Sequence, residues 1–519
     1  METIFDFKPN GMLGFIQTWQ KTANEECYFN LKFFLEDLSS KEYIIFEHPI
    51  LDSIVTTCRA NILIRSANPR NILFFSDENF DNCWFLVQGY NFMDAVVYDN
   101  KFYAMLPESL CRPSINAISK MIEMIPNYKK YFRNHGNFIG FLLNHQRPYH
   151  FFYDQLVSIF ELHEKLIENN KKIFLGLDNF YQPVFFDTQD YKEIKNDIVL
   201  FPTVLGIAKY KSNQYKKTSK VMENAICYST DISEISNINF KKFDLTVWIG
   251  IAGEKRSWLE QIEGYQNILN QLSNFFENIL ILVDGLTANA HSEIPDEENK
   301  NICTLIALGL NKNIVNLSLA GKDYHTKIDY CRNIDIFISD AGATSMVPRF
   351  FCMKPGVLHF SNNPIIFTVE NFSQVKMVDS RFVKNEEDEN RRDLASYHIS
   401  WQHIFNLTAE LLNQSKGTNI QLLDVPPVEE VAKVYEIEMK KKVKTIHSDI
   451  FMKLERKITP EYKAPDILRE VAFAFEQSGD ISTALTIMQK ALELRPTGPT
   501  IKQKVKEYQA KLENKGESK

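Results

Sequence analysis

Three stretches of the chain carry residue types and spacings that could do chemistry. The first is Asn144-His-Gln-Arg-Pro-Tyr-His-Phe-Phe-Tyr-Asp154. If Tyr149 onward is helical, His150 and Asp154 share a face at i and i+4, and the carboxylate can orient the imidazole and raise its basicity, which is the arrangement of a general base. The plainer reading is a surface His–Asp pair. His145 and His135 are weaker candidates for the same role, and Asp178 and Asp187 are carboxylates that could replace it. The second stretch is Gly250-Ile-Ala-Gly-Glu-Lys-Arg-Ser-Trp258. Gly253 permits close backbone approach, a following helix N-terminus favours an anion, and Lys255 and Arg256 add two positive charges, so a pyrophosphate is the natural ligand. It lacks the Gly-Lys-Ser/Thr ending of a Walker loop and the Gly-x-Gly-x-x-Gly dinucleotide fingerprint; read plainly, it is an exposed turn. The third is Ser339-Asp340-Ala-Gly-Ala-Thr-Ser345, where Gly342 and Ala343 clear space and Thr344 and Ser345 offer hydroxyls at a helix start. Simple N-capping by Asp340 or Thr344 is the competing account. No Asp-x-Asp occurs anywhere in the chain, so a paired-carboxylate clamp for a metal on a diphosphate is missing, and no metal is expected.

These stretches need elements to hold them. From residue 41 to about 106, short β-rich runs such as Tyr43-Ile-Ile-Phe, Ile72-Leu-Phe-Phe and Trp84-Phe-Leu-Val alternate with turn residues and predict a sheet-rich first portion. A helical pattern runs from Pro113 to Tyr131, then come the strand-like Phe138-Ile-Gly-Phe-Leu-Leu, a helix with Leu156, Ile159, Phe160, Leu162 and Leu166 at helical spacing, and the strand Lys172-Ile-Phe-Leu. Residues 211–243, rich in Lys, Ser, Asn and Thr, read as a linker. From Phe243 the alternation is regular: strands at 245–251, 279–283, 314–319, 334–339 and 356–360, with helices between them near 258–276, 297–310, 327–332 and up to Cys352. Five strands and four helices specify a doubly wound parallel sheet with ligand loops at the strand C-termini. The run Asn385–Asp393 reads as a solvated loop, and helices are expected over 398–414 and from Pro427 to about Val443.

The whole composition sets the class. The chain has 519 residues, 44% hydrophobic and 24% charged, with a net charge of −7; it is long enough for several domains of average soluble type and carries no basic block of the kind a nucleic-acid binder shows. Met1-Glu-Thr-Ile-Phe-Asp-Phe-Lys is not a secretory signal, and no apolar run reaches the roughly 20 residues of a membrane span. A soluble cytoplasmic protein, at most peripheral at the inner face of a membrane, is expected. The eight cysteines show no Cys-x-x-Cys pair, so most should be reduced, buried thiols. Aromatic residues reach 13%, with 39 Phe; most belong in cores, with Phe74, Phe75, Phe275 and Phe276 as examples, while Tyr149, Phe151, Phe152 and Tyr153 could present rings to sugars. Near the end, Ala472-Phe-Ala-Phe, Gly479-Asp480, Ala484 and Ala491-Leu-Glu-Leu-Arg-Pro496 match the tetratricopeptide helix-turn-helix pattern.

The order of these parts resembles glycosyltransferases of the GT-B fold. Arg147-Pro-Tyr-His-Phe-Phe-Tyr-Asp154 is similar to the Asn-Tyr-x-His-x-x-x-Asp stretch of xylosyltransferase-type and bacterial surface-polysaccharide (capsule and lipooligosaccharide) enzymes, and Asp340-Ala-Gly-Ala-Thr is similar to their His-Gly-Ala-Gly loop, with Arg147 or Pro148 in place of Asn and Asp340 in place of His. The resemblance implies an α/β chain of two Rossmann-like domains facing a cleft, plus a small all-α tail: an acceptor-side domain over 1–235, a nucleotide-sugar-binding domain over 236–425, a crossover helix over 426–458 and a tetratricopeptide-like pair over 459–519. It implies sugar transfer from a nucleotide-diphosphate donor to a hydroxyl of a glycan or glycolipid, without a cofactor. His150 would deprotonate the acceptor, with Asp154 beside it. Gly253, Lys255 and Arg256 would meet the diphosphate, Asp340 and Gly342 to Ser345 would cradle phosphate or sugar, and Asp284 or Lys322 would lie near the nucleoside. A sugar-nucleotide epimerase or hydrolase on the same fold, and a non-catalytic scaffold whose tail at 465–512 binds a partner or a second copy, are the competing readings.

Overall fold

The computed structural model describes the chain apart from residues 1, 6, 23–24, 66–68, 90–91, 106–111, 113, 121, 124–135, 178, 183–186, 192–196, 203–237, 253–256, 363–373, 387–394, 438–463, 478 and 517–519. Two compact units are present, Met1–Val425 and Pro426–Lys519.

The first unit opens with a seven-stranded sheet: β1 (Glu2–Ile4), β2 (Ile45–Glu47), β3 (Val55–Ile64), β4 (Arg70–Ser76), β5 (Trp84–Gln88), β6 (Ala95–Tyr98) and β7 (Lys101–Ala104), in the order β1-β7-β6-β5-β4-β3-β2. Every pairing is antiparallel except β1 with β7. This corrects the expectation of a Rossmann-like start. The runs at 55–104 are joined by connections too short for crossover helices, so they fold as a meander. Strand alternation gives the sheet two buried faces. Leu73, Phe75, Trp84 and Leu86 pack under helices α1 (Gly11–Thr22) and α2 (Glu25–Ser40), and Ile72, Phe74, Phe85 and Val87 form a smaller cluster closed by Ile118.

A second sheet is fully parallel: β8 (Asn137–Leu143), β9 (Lys172–Leu175), β10 (Thr188–Asp190) and β11 (Asp197–Leu200), ordered β10-β9-β8-β11. Asn71 links the two sheets, its side-chain amide donating to the carbonyl of Phe201 at 3.2 Å and accepting from the Phe201 N–H at 2.9 Å. Between β8 and β9 the chain makes a helical turn at Pro148–His150, a π-helical stretch at Phe151–Leu156 and helix α3 (Val157–Glu168), whose Val157, Ile159, Leu162 and Leu166 are buried.

The third sheet is also parallel, with β12 (Leu245–Gly250), β13 (Ile279–Asp284), β14 (Ile314–Ser318), β15 (Ile336–Asp340), β16 (Gly356–His359) and β17 (Val375–Met377) in the order β14-β13-β12-β15-β16-β17. Mostly apolar runs make its central strands β12, β13, β15 and β16, as burial on both faces requires, while the edge strands β14 and β17 are partly exposed. Helices α4 (Gln261–Leu272), α5 (Glu297–Leu308) and α6 (Tyr324–Cys331) connect them. The expected helix running to Cys352 is instead a 3₁₀ turn, Ala343–Ser345, followed by a π-helical stretch, Val347–Phe351; Pro348 has no N–H to give to Thr344, which breaks the regular ladder. The hairpin β18 (Val383–Asn385) and β19 (Tyr397–Ile399) and helix α7 (Trp401–Lys416) complete the unit. Phe276 is buried as expected, whereas Phe275 is 43% exposed.

In the second unit, residues 428–437 are helical, and α8 (Ala464–Gln477), α9 (Ile481–Leu494) and α10 (Pro499–Gly516) form a three-helix stack. Asp480 caps α9, accepting from the Thr483 N–H at 3.0 Å. The sequence pattern shows a helical pair; the structure adds α10, whose Ile501, Val505 and Tyr508 cover the face that Ala472, Phe475, Ala484, Met488 and Ala491 would otherwise expose. Residues 438–458 of the expected crossover helix and most of the expected linker at 211–243 lie outside the described residues.

Candidate functional site

In an open parallel sheet, ligands bind beyond the carboxyl ends of the strands where the chain order reverses. In the second sheet that point falls between β8 and β11, because β9 and β10 lie to one side of β8 and the chain returns to place β11 on the other. The loop leaving β8 carries His145 and His150. The Gln155 side chain fixes its start, accepting from the Asn144 N–H at 2.9 Å and donating to the Asn144 carbonyl at 3.3 Å. The His145 ring accepts from the Arg147 N–H through Nδ1 at 3.0 Å, and Pro148 opens the helical turn. His150 Nδ1 then lies 2.6 Å from Asp154 Oδ2. Burial pushes the Asp154 carboxyl up, partly offset by His150. A carboxylate that accepts from Nδ1–H leaves Nε2 as the acceptor nitrogen of the ring, which is the arrangement a general base would use. The His145 ring stacks on His150 at 5.0 Å and 23°. Burial, with His150 and Arg147 adding to it, lowers His145 to about 3, so its ring is neutral.

The switch point of the third sheet lies between β12 and β15, directly paired neighbours. Gly250 must be glycine: a Cβ there would sit 2.2 Å from Ser339 Oγ. Gly253, Lys255 and Arg256 lie outside the described residues, but the base of their loop is closely held. Gln261 accepts from the Ala252 N–H at 3.2 Å and donates to its carbonyl at 2.8 Å, and Ser257 Oγ donates to the same carbonyl at 2.9 Å. Beneath it, Tyr265 donates to the Gly250 carbonyl at 2.7 Å. His359 Nε2–H therefore donates to Tyr265 at 3.1 Å, and Tyr397 donates to His359 Nδ1 at 2.8 Å. Sequence reasoning missed this network, whose three members come from three separate elements.

The loop at 340–345 is more self-contained than its sequence implies. Asp340 accepts from the Gly342 N–H at 2.9 Å and from the Thr344 hydroxyl. Thr344 also meets the Ser339 hydroxyl at 2.8 Å, and Ser345 donates to the Gly342 carbonyl at 2.8 Å. The hydroxyls expected to face a ligand are thus engaged inside the loop; Ala343 stands exposed at its tip. Asp284 is not open either. It is buried at the end of β13, 2.6 Å from the fully buried Lys327, whose ammonium also donates to the Leu286 carbonyl at 2.9 Å and Thr287 Oγ1 at 2.8 Å. Burial raises the Asp284 carboxyl to about 6, against the pull of Lys327. Lys322 is half-buried and paired with Glu293. Of the weaker candidates, Asp187 is exposed and is not part of either loop, and His135 and Asp178 lie outside the described residues.

Rings join the two switch points. Phe152, just after His150, packs on Tyr324 at 4.9 Å and on Phe351 at 5.0 Å, and Tyr153 packs on Phe350 at 5.8 Å. Phe151, Phe152 and Tyr153 are buried, so of the aromatic run expected to face sugars only Tyr149 is accessible; the rest form the seam between the β8 side and the β15 side. Tyr181 stacks on His325 at 4.6 Å, and His325 on His291 at 4.9 Å. This stack also escaped sequence reasoning, since 144 residues separate Tyr181 from His325 and no local spacing links them. Among the described residues, no group of three or more His, Cys, Asp or Glu is placed to hold a metal ion, and no helix is long and apolar enough to cross a membrane.

No family model matches the chain, and no curated protein does. Among solved structures, the S. aureus MnaA-UDP co-structure aligns at 14% identity over 50% of this chain and 65% of that one, with a TM-score of 0.23. A TarM crystal structure aligns at 11% identity over 73% of this chain and 82% of that one, with a TM-score of 0.19.

Proposed function

We propose that the protein is a metal-independent glycosyltransferase that moves a sugar from a nucleotide-diphosphate donor to a hydroxyl acceptor in glycan or surface-polysaccharide assembly. The observation that carries this reading is the His150–Asp154 pair, 2.6 Å apart at the switch point of one parallel sheet. Its helix is packed through Phe152 against the elements that follow the strand ends of another.

In this mechanism the acceptor hydroxyl gives its proton to His150 Nε2 as its oxygen attacks the anomeric carbon. Asp154 stabilises the imidazolium that forms. The bond from the anomeric carbon to the diphosphate oxygen breaks, and Lys255 and Arg256, carried between the fixed residues Ala252 and Ser257, meet the charge that develops on the leaving group. Asp340 occupies its own loop with negative charge, so the donor's anionic part belongs on the Lys255 and Arg256 side, and the sugar belongs near Ala343.

Thermal shift with a panel of nucleotide sugars tests the donor, and release of nucleoside diphosphate with and without acceptor glycans tests the transfer. If no nucleotide shifts the melting temperature, the reading fails; release that ignores every acceptor points to hydrolysis or epimerisation instead. Arg256→Ala should weaken nucleoside-diphosphate binding by about 1.5–3 kcal/mol, the value of a charge-assisted hydrogen bond. Unchanged affinity in calorimetry would remove Arg256 from the site.

A further inference from the structure

Behind the aromatic seam, two thiols from different elements meet. Cys331 is the last residue of α6 and is fully buried; Cys352 closes the π-helical stretch Val347–Phe351 and is half-buried. Cys352 Sγ lies 3.8 Å from the carbonyl oxygen of Ile328, one helical turn before Cys331, and after burial itself Cys352 is the neighbour that most raises the Cys331 thiol. Their backbones are laced together close by. Lys354 Nζ donates to the Arg332 carbonyl at 2.7 Å, and its N–H donates to the Pro348 carbonyl at 2.8 Å. The chain between the two cysteines contains β15 and the whole 340–345 loop.

We propose that Cys331 and Cys352 are a redox-active pair that closes a disulfide on exposure to a hydroperoxide. Their environments divide the roles. Cys352 is the one a small oxidant can reach, whereas burial keeps the Cys331 thiol protonated, with only Lys354 pulling the other way. The Cys352 thiolate attacks one peroxide oxygen and becomes a sulfenic acid; the other oxygen leaves as an alcohol or, from hydrogen peroxide, as water after taking a proton. The Cys331 sulfur then attacks the sulfenic sulfur and loses its proton, and the displaced hydroxide departs as water. Two thiols are oxidised and one O–O bond is reduced. The bond ties α6 to the second π-helical stretch, the two elements that supply Tyr324, Phe350 and Phe351 to the seam. It therefore fixes the loop after β15 against the loop after β14.

The full chain is treated with hydrogen peroxide, alkylated, digested and analysed by mass spectrometry. The expected product is a cross-linked peptide containing Cys331 and Cys352, lighter by about 2 Da than its two thiol halves and reopened by dithiothreitol. Direct conversion of Cys352 to a sulfinic acid with Cys331 still alkylatable, or pairing of either residue with another cysteine, overturns the proposal. A second measurement on the untreated protein uses phenylarsine oxide, which bridges two adjacent thiols. Wild type should bind it through this pair, and Cys352→Ser should lose that binding; arsenical binding that survives in Cys352→Ser overturns the proposal as well.

Discussion

The imidazole of His150 has a carboxylate on one nitrogen and a neutral ring against its face, so its chemistry is set by two neighbours that play different parts. Asp154→Asn keeps the size of the side chain and removes its charge. On the proposed mechanism turnover should fall by about 10²–10⁴-fold while donor affinity stays the same, read from kcat and from calorimetric titration of the nucleotide; an equal loss in binding would make the pair structural. The pair was legible in the sequence because i and i+4 positions on one helix meet whatever the fold around them. Lys327 was not. Its partner Asp284 lies 43 residues away on another element, and only the return of α6 over the end of β13 brings an ammonium to a carboxylate there. For the same reason the hydroxyls of Thr344 and Ser345 looked free, since their partners depend on how sharply the chain turns after Asp340.

Among the elements, the five apolar runs between 245 and 360 were legible as strands, four of them continuous enough to be buried on both faces and the fifth, β14, at the sheet edge. The two π-helical stretches were not, because apolar spacing does not distinguish a widened turn from a regular one. They are the parts that join the two switch points, and π-helical turns recur at functional sites. Phe152→Ala should cost about 3–5 kcal/mol, the usual range for deleting a buried aromatic ring, in urea unfolding followed by circular dichroism. A cost below 1 kcal/mol would show that the seam is not packed as described. Helix α4 has its own marker. A Cβ at Gly264 would lie 2.0 Å from the ring of Trp258, which is buried and donates to the Ile399 carbonyl at 3.1 Å, so Gly264→Ala should destabilise by about 1–3 kcal/mol through overpacking, measured in the same assay.

Taken whole, the molecule should weaken as the pH falls below neutrality. Burial lowers His48 to about 4 and His145 and His359 to about 3, all below the unfolded value of about 6.5. The unfolded chain therefore binds protons that the fold refuses; the stability is full above about pH 6.5 and is lost as the pH falls toward 3–4. Asp284 acts in the opposite sense. Its folded value of about 6 exceeds the unfolded one, so it adds stability as the pH falls from about 6 to about 4. His325 and His403 are lowered by burial in the same way, and Asp154 is raised like Asp284, so the histidines outnumber the carboxylates and the net effect in that window is a loss of stability. Urea midpoints at pH 7 and pH 5 check the sign, and a higher midpoint at pH 5 would mean that these rings are charged in the fold. The sequence located the doubly wound sheet but not the antiparallel meander before it, because single strands carry no mark of the direction in which they will pair. One large apolar core runs from Leu13 to Leu358 and includes Phe151 and Phe152 together with Tyr324, Phe350 and Phe351. During synthesis the first pair of rings leaves the ribosome roughly 200 residues ahead of the last pair, a gap of about 10–40 s at ordinary elongation rates. Phe180 and Tyr181 follow within about 30 residues to cover one side of these rings, but the side that meets Tyr324 and Phe351 has no partner in the nascent chain until that interval ends.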